Sequence, residues 1–274
     1  MQALSAALEL GALPGPPVLF RLPGLPPLVQ QAYHAAADVA DVRDLPWTHE
    51  TPATPFPPAA HFHRAIDMRD FAFDPAFRGV PMIDFFLTGL GLDPAAVPPA
   101  LRRNAWLAPR LRPTPPPGLP SDYILVCPRT SMPLRDMPEA IHHAVVAWLL
   151  GAGHRVVTQG PPPPGAIGAA PAGSLAELAG LVAGARFVVS ADTAMPHLAD
   201  AFAVPCLAFF TTHRPEWRVR DYPRVRAMHL PVAGLPPALE FSRGPRDEAA
   251  AQATWFPDGA DLGWLRAALA EALG

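Results

Sequence analysis

Apolar and polar positions follow two different rhythms along this chain. From residue 123 onward, short unbroken apolar runs alternate with longer stretches of helical period. Residues 123–127 (YILVC) form a continuous apolar run, the pattern of a strand covered on both faces. Residues 138–151 place Ile141, Val145, Trp148 and Leu149 on one side of a helix. Strands are predicted next at 154–158 (HRVVT), 187–190 (FVVS) and 206–210 (CLAFF), with helices at 174–183, 196–202 and 261–273. Ser174 and Glu177 have capping-box spacing, which marks a helix start. Strands alternating with helices imply right-handed βαβ units on a parallel sheet.

The first part of the chain is more broken. Helices are predicted at 4–13, 28–37 and 81–90, and strands at 17–22, around 39–42 and at 64–68 (RAIDM). Proline-rich loops fill the gaps, notably 46–58. Residues 112–120 (RPTPPPGLP) deny both helix and ladder hydrogen bonds, so they read as a stiff linker. The expected division is a reduced, loop-rich domain at 1–118 and an α/β domain at 119–274.

Composition narrows the partners. The formal net charge of -3, with no basic stripe, argues against nucleic acid. All basic side chains apart from histidine are arginine, so any cationic role falls to a planar, permanently charged fork. Cys127 and Cys206 sit in apolar runs and read as buried thiols of a reducing compartment. No run approaches the roughly 20 apolar residues of a membrane span, and the N-terminus lacks a basic secretory start. A cytoplasmic location is the expectation.

In parallel sheets, ligands sit outside the carboxyl ends of the strands. Three junctions there carry candidate chemistry: 128–138 (PRTSMPLRDMP), 160–174 and 191–197 (ADTAMPH). In the first, Thr130 and Ser131 offer hydroxyls and Arg135 a bidentate grip for a phosphate. In the last, Asp192 and Thr193 are N-cap types, Ala194 permits close backbone approach, and free amides at the helix start favour an anion. Each junction taken singly also fits an ordinary capped turn. His197 alone reads as a packing residue, and Arg214, Arg218 and Arg220 as a solvated turn.

Taken in order, these junctions resemble the donor-binding domain of the ADP-heptose:lipopolysaccharide heptosyltransferases, a two-domain GT-B family. PRTSMPLRDMP resembles the family's strand-end loop, with Arg135 where lysine is usual and Met137 where an aromatic is usual. GSLAELAGLVAGARFVVSADTAMPHLADAFAVPCLAFF resembles its longest signature, with Ala194 in place of glycine. MIDFFLTGLGLDP resembles a segment late in the family's first domain.

The resemblance implies two Rossmann-like domains with parallel sheets, the N-terminal one reduced. It implies inverting, metal-independent transfer of a sugar, a heptose by analogy, from a nucleotide-diphosphate donor to a saccharide or glycolipid acceptor. Peripheral contact with the inner face of the inner membrane goes with that. Arg135 and Asp192 become the catalytic candidates. Thr130, Ser131, Gly173, Ser174, Thr193, Ala194 and His197 become donor-binding candidates, and no metal or cofactor is implied beyond the donor. The family's opening strand and Gly-Asp turn have no counterpart here, and Asp67 and Asp70 are weak substitutes for that base. Losing a general base costs roughly a hundredfold or more in rate. A non-catalytic nucleotide-sugar or protein-binding relative is therefore the alternative; an epimerase ranks last, for want of an acidic cluster.

Overall fold

The computed structural model describes residues 1–45, 62, 64–68, 71, 74–236 and 242–274. The chain divides into two compact units, 1–102 and 103–274, and the proline-rich stretch 112–120 lies inside the second.

The first unit contains helices α1 (Gln2–Glu9), α2 (Pro27–Ala35) and α3 (Met82–Gly89) and strands β1 (Val18–Arg21) and β2 (Asp41–Asp44). The strands pair in parallel, Val18 opposite Asp41 through Arg21 opposite Asp44. Arg21 Nε donates to Asp44 Oδ1 at 2.7 Å across the pair. Ala3 and Ala6 of α1 close on Leu87 of α3 and on Val97, with Ile83 and Phe86 packed alongside. β2 begins later than its apolar pattern suggests, because Val39 and Ala40 are spent on burial before the ladder starts.

The strand expected at 64–68 is not formed. These residues have no ladder partner among the described residues, Ile66 is left 40% exposed, and the Arg64 guanidinium instead caps the carbonyls of Gly89 and Leu90 at the end of α3. The predicted loop at 46–58 and Asp70 lie outside the described residues.

The second unit is a doubly wound sheet. Its strands are β3 (Tyr123–Cys127), β4 (Arg155–Gln159), β5 (Ile167–Ala169), β6 (Ala185–Ala191), β7 (Cys206–Phe210) and β8 (Val225–His229), ordered β5-β4-β3-β6-β7-β8 and parallel throughout. The intervening helices are α4 (Glu139–Gly151), α5 (Leu175–Ala183), α6 (Met195–Ala201) and α7 (Pro215–Val219), followed by α8 (Pro245–Ala253) and α9 (Gly263–Leu273).

One face of the sheet buries Ile124, Val126, Val189, Leu207 and Phe209 against Ile141, Val145 and Leu149 of α4, Trp255, and Leu265 and Leu269 of α9. The opposite face meets α5, where the Tyr123 hydroxyl donates to the Leu181 carbonyl at 2.6 Å. Every residue of β3 and of β7 is buried, which is why both strands read as unbroken apolar runs.

Ser174 caps α5 as predicted, its hydroxyl accepting from the Glu177 amide at 3.2 Å. The return bond goes one residue further back, from the Gly173 amide to Glu177 Oε2 at 2.7 Å. Residues 112–120 are docked on this helix, with the Thr114 amide bound to the Ala176 carbonyl at 2.9 Å. Among the described residues no helix is long and apolar enough to cross a membrane.

Candidate functional site

The chain winds outward from β3 in one direction through β4 and β5, then returns to pair β6 on the other side of β3. This is the reversal of strand order that opens a crevice at the carboxyl ends of an α/β sheet. The loops that leave β3 and β6 there are 128–138 and 192–194.

The first loop is tied down from within. The Asp136 carboxylate accepts from the Thr130 amide at 2.7 Å and from Arg129 at 3.1 Å. The Thr130 hydroxyl is already spent, accepting from the Met132 amide and donating to its carbonyl. Thr211, just beyond β7, donates to the Leu134 carbonyl at 2.9 Å. A short 3-10 turn, Pro133–Arg135, ends in Arg135. Arg135 Nη2 donates to the Ser131 hydroxyl at 3.3 Å, while Nη1 lies 3.6 Å from Asp192 Oδ2. The two loops thus meet through Arg135 and Asp192, the pair singled out as catalytic candidates.

Asp192 is buried and does not cap α6. That position falls to Ala194, without a side-chain bond, and the Thr193 hydroxyl accepts from the Met195 amide at 2.9 Å. The Asp192 carboxylate instead turns inward, where Oδ2 is 3.2 Å from His213 Nδ1. That oxygen is enclosed without an aligned donor, so charge rather than a directed bond holds it. Burial raises the Asp192 pKa, but His213, Arg135 and Arg218 together outweigh it and hold the carboxyl below its ordinary value. Asp192 is ionised and enclosed, a geometry that orients a neighbour rather than one that takes a proton.

His197 lies on α6, its Nδ1 2.8 Å from the Tyr222 hydroxyl. Asn104 Nδ2 donates to that same hydroxyl, so the tyrosine proton points to Nδ1 and the imidazole proton resides on Nε2. Burial pushes His197 down to about 4, the charge of Asp192 opposing and that of Arg218 assisting. His197 can therefore offer an N–H, but not a charge, at neutral pH. Deeper on α6, the Asp200 side chain accepts from the Asn104 amide at 2.8 Å and from Arg103 Nε at 3.0 Å, pinning the start of the unit to the helix. Gly173 and Ser174 share the same edge of the sheet at the start of α5, and their bonds described above close on Glu177.

Sequence reasoning missed His213 and misjudged Arg218. Both follow β7 in TTHRPEWR, and Arg218 is partly buried, with its Nη2 2.9 Å from His213 Nε2. Among the described residues, no group of three or more His, Cys, Asp or Glu side chains could hold a metal ion.

The class is that of a doubly wound α/β domain in which Arg135 and Asp192 face each other across the switch point of the sheet. Residues 102–220, less than half of the chain, match the family model of glycosyltransferase family 9 (heptosyltransferase). No curated protein matches the chain by sequence. Among solved structures, E. coli heptosyltransferase WaaC with ADP-2-deoxy-2-fluoro heptose aligns with a TM-score of 0.53 at 17% identity, covering 83% of this chain and 88% of that one. The bacterial iron-containing dodecameric glycosyltransferase TibC from enterotoxigenic E. coli aligns with a TM-score of 0.52 at 16% identity, covering 95% and 77%. At such identities the likeness establishes the fold, and the GT-B-like architecture expected from the sequence is the one observed.

Proposed function

We propose that the second unit binds a nucleotide-diphosphate sugar and that the protein transfers that sugar, a heptose by analogy, to a saccharide or glycolipid acceptor. The observation that carries this reading is Arg135, held between Ser131 and Asp192 where the two site loops meet. A guanidinium in that place can grip a departing diphosphate bidentately and stabilise the charge that develops on it. Direct attack on the anomeric carbon opposite that leaving group inverts its configuration. Ser131, Thr193 and the Nε2–H of His197 would supply further donors, with Gly173 and Ser174 toward the nucleoside. The cationic side chain supplies the electrostatics in this scheme, and the donor is a substrate rather than a cofactor.

Calorimetric titration with ADP, UDP and GDP tests the reading. One of them is expected to bind, and Arg135→Ala to weaken it by about 1.5–3 kcal/mol, the range for a hydrogen bond to a charged group. Failure of all three to bind overturns it.

The enclosed state of Asp192 favours one variant of this reading, in which the domain binds its donor but transfers nothing. Asp192 is poorly placed to deprotonate an acceptor, so a base must come from elsewhere. Release of free nucleotide from an ADP-sugar, stimulated by acceptor, separates transfer from binding alone.

A further inference from the structure

His213 is 2% exposed and stands between two charges. Arg218 Nη2 is 2.9 Å from its Nε2, and Asp192 Oδ2 is 3.2 Å from its Nδ1. A guanidinium can only donate, so Nε2 must carry the lone pair and the ring proton must sit on Nδ1. That proton faces Asp192 and the Thr212 hydroxyl, which is also 3.2 Å from Nδ1. Arg218 therefore dictates which way the imidazole dipole points, and the positive end points at Asp192. Asp192 in turn faces Arg135 on its other side at 3.6 Å. The order Arg218, His213, Asp192, Arg135 runs from α7, across the loop after β6, to the loop after β3.

We propose that His213 and Arg218 are positioning residues for the diphosphate site, setting where Asp192 and, through it, Arg135 can stand. The inference rests on the functional reading above, because it concerns the same arginine. Its physical content is a competition. An Asp192 carboxylate without the positive edge of the His213 ring beside it pairs more closely with Arg135, drawing that guanidinium off the ligand. With His213 in place, Asp192 is satisfied at a distance and Arg135 keeps its fork available. Arg218 acts on the ring and not on the ligand.

The test uses the full chain and whichever of ADP, UDP and GDP the wild type binds. His213→Ala and Arg218→Ala are each expected to weaken binding about tenfold, the scale of one lost close contact with a buried charge. The double variant should lose no more than either single one, because both act along one line. His213→Asn keeps an amide donor toward Asp192 and should restore binding to within about threefold, whereas His213→Gln, which reaches toward Arg218 instead, should not.

Thermal melts accompany each titration, and the comparison of Asn with Gln decides the matter if His213→Ala fails to fold. Unchanged affinity in a folded His213→Ala protein overturns the proposal, as do losses that multiply in the double variant. If Arg135→Ala weakens binding while His213→Ala does not, only the positioning role falls. If the wild type binds no nucleotide, both readings fall together.

Discussion

The amide of Val204 donates to the carbonyl of Ala199 at 2.8 Å, closing the end of α6, and the residue enclosed by that bond, Ala203, is left-handed at φ 56. This is the helix-ending turn in which glycine is usual, because a Cβ is strained there. Ala203→Gly should therefore raise stability by about 0.5–1 kcal/mol, measured as a shift in urea midpoint with unchanged slope. No gain would mean that the greater freedom of glycine in the unfolded chain cancels the relief of strain.

Tyr222 gathers two partly buried partners on one oxygen, His197 Nδ1 and Asn104 Nδ2. Tyr222→Phe deletes the hydroxyl and leaves the two only the longer contact between Asn104 Nδ2 and His197 Nδ1 at 3.4 Å. The expected cost is about 1–3 kcal/mol of stability, the penalty for unsatisfied buried polar groups. The loss should exceed that of Tyr33→Phe, at the one tyrosine that is only partly buried, and equality with it would show that water replaces the hydroxyl.

Acid should weaken the fold through two histidines. Burial holds both His142 and His197 at about 4, against an ordinary value of 6.5. Below the ordinary value the unfolded chain takes up protons that the folded chain refuses, so stability is full above that pH and declines as pH falls toward the folded values. Together the two give a slope of about 2 kcal/mol per pH unit near the middle of that window. His142 bonds the Thr158 hydroxyl at 2.8 Å, and His142→Gln should remove about half of the slope. Urea midpoints at a series of pH values give both slopes directly, and an unchanged slope in the variant would place the proton uptake elsewhere.

Gly180 marks the closest approach of two backbones. A Cβ built there would lie 2.0 Å from the carbonyl oxygen of Thr114. Backbone cannot swing aside as a side-chain tip can, so Gly180→Ala should cost about 1–3 kcal/mol or more by displacing residues 112–120 from α5. Faster proteolysis within that stretch would report the displacement. A variant as stable and as resistant as wild type would show that the stretch moves freely on the helix.

The legible parts of the sequence were those where one physical demand ruled. β3 and β7 are covered on both faces, so their apolar runs announced them to the residue. Ser174 with Glu177 likewise marked the start of α5. β8, with no fully buried residue at the sheet edge, and α8, with no apolar stripe, carry weak periodicity and escaped notice. RAIDM imitates a strand by composition but pairs with no strand among the described residues.

At the site, the sequence brought forward Arg135 and Asp192, which the fold does bring together. It hid His213 because nothing in TTHRPEW distinguishes a histidine in a turn from one enclosed beside a carboxylate. Only the pairing of β6 with β7 places the end of one strand against the end of the other.

The strand order also bears on how the protein is made. β3 leaves the ribosome early and can pair with β4 on one side, but its other edge belongs to β6, which begins only at Ala185. For the time needed to synthesise the residues between, a nascent chain carries a short, wholly apolar strand with one side bare. Such an edge is a template for pairing with the wrong partner. The arrival of β6 seals that edge and brings Asp192 beside Arg135, and His213 joins them later. Nascent chains halted before His213 should thus be both unable to bind nucleotide and prone to aggregate.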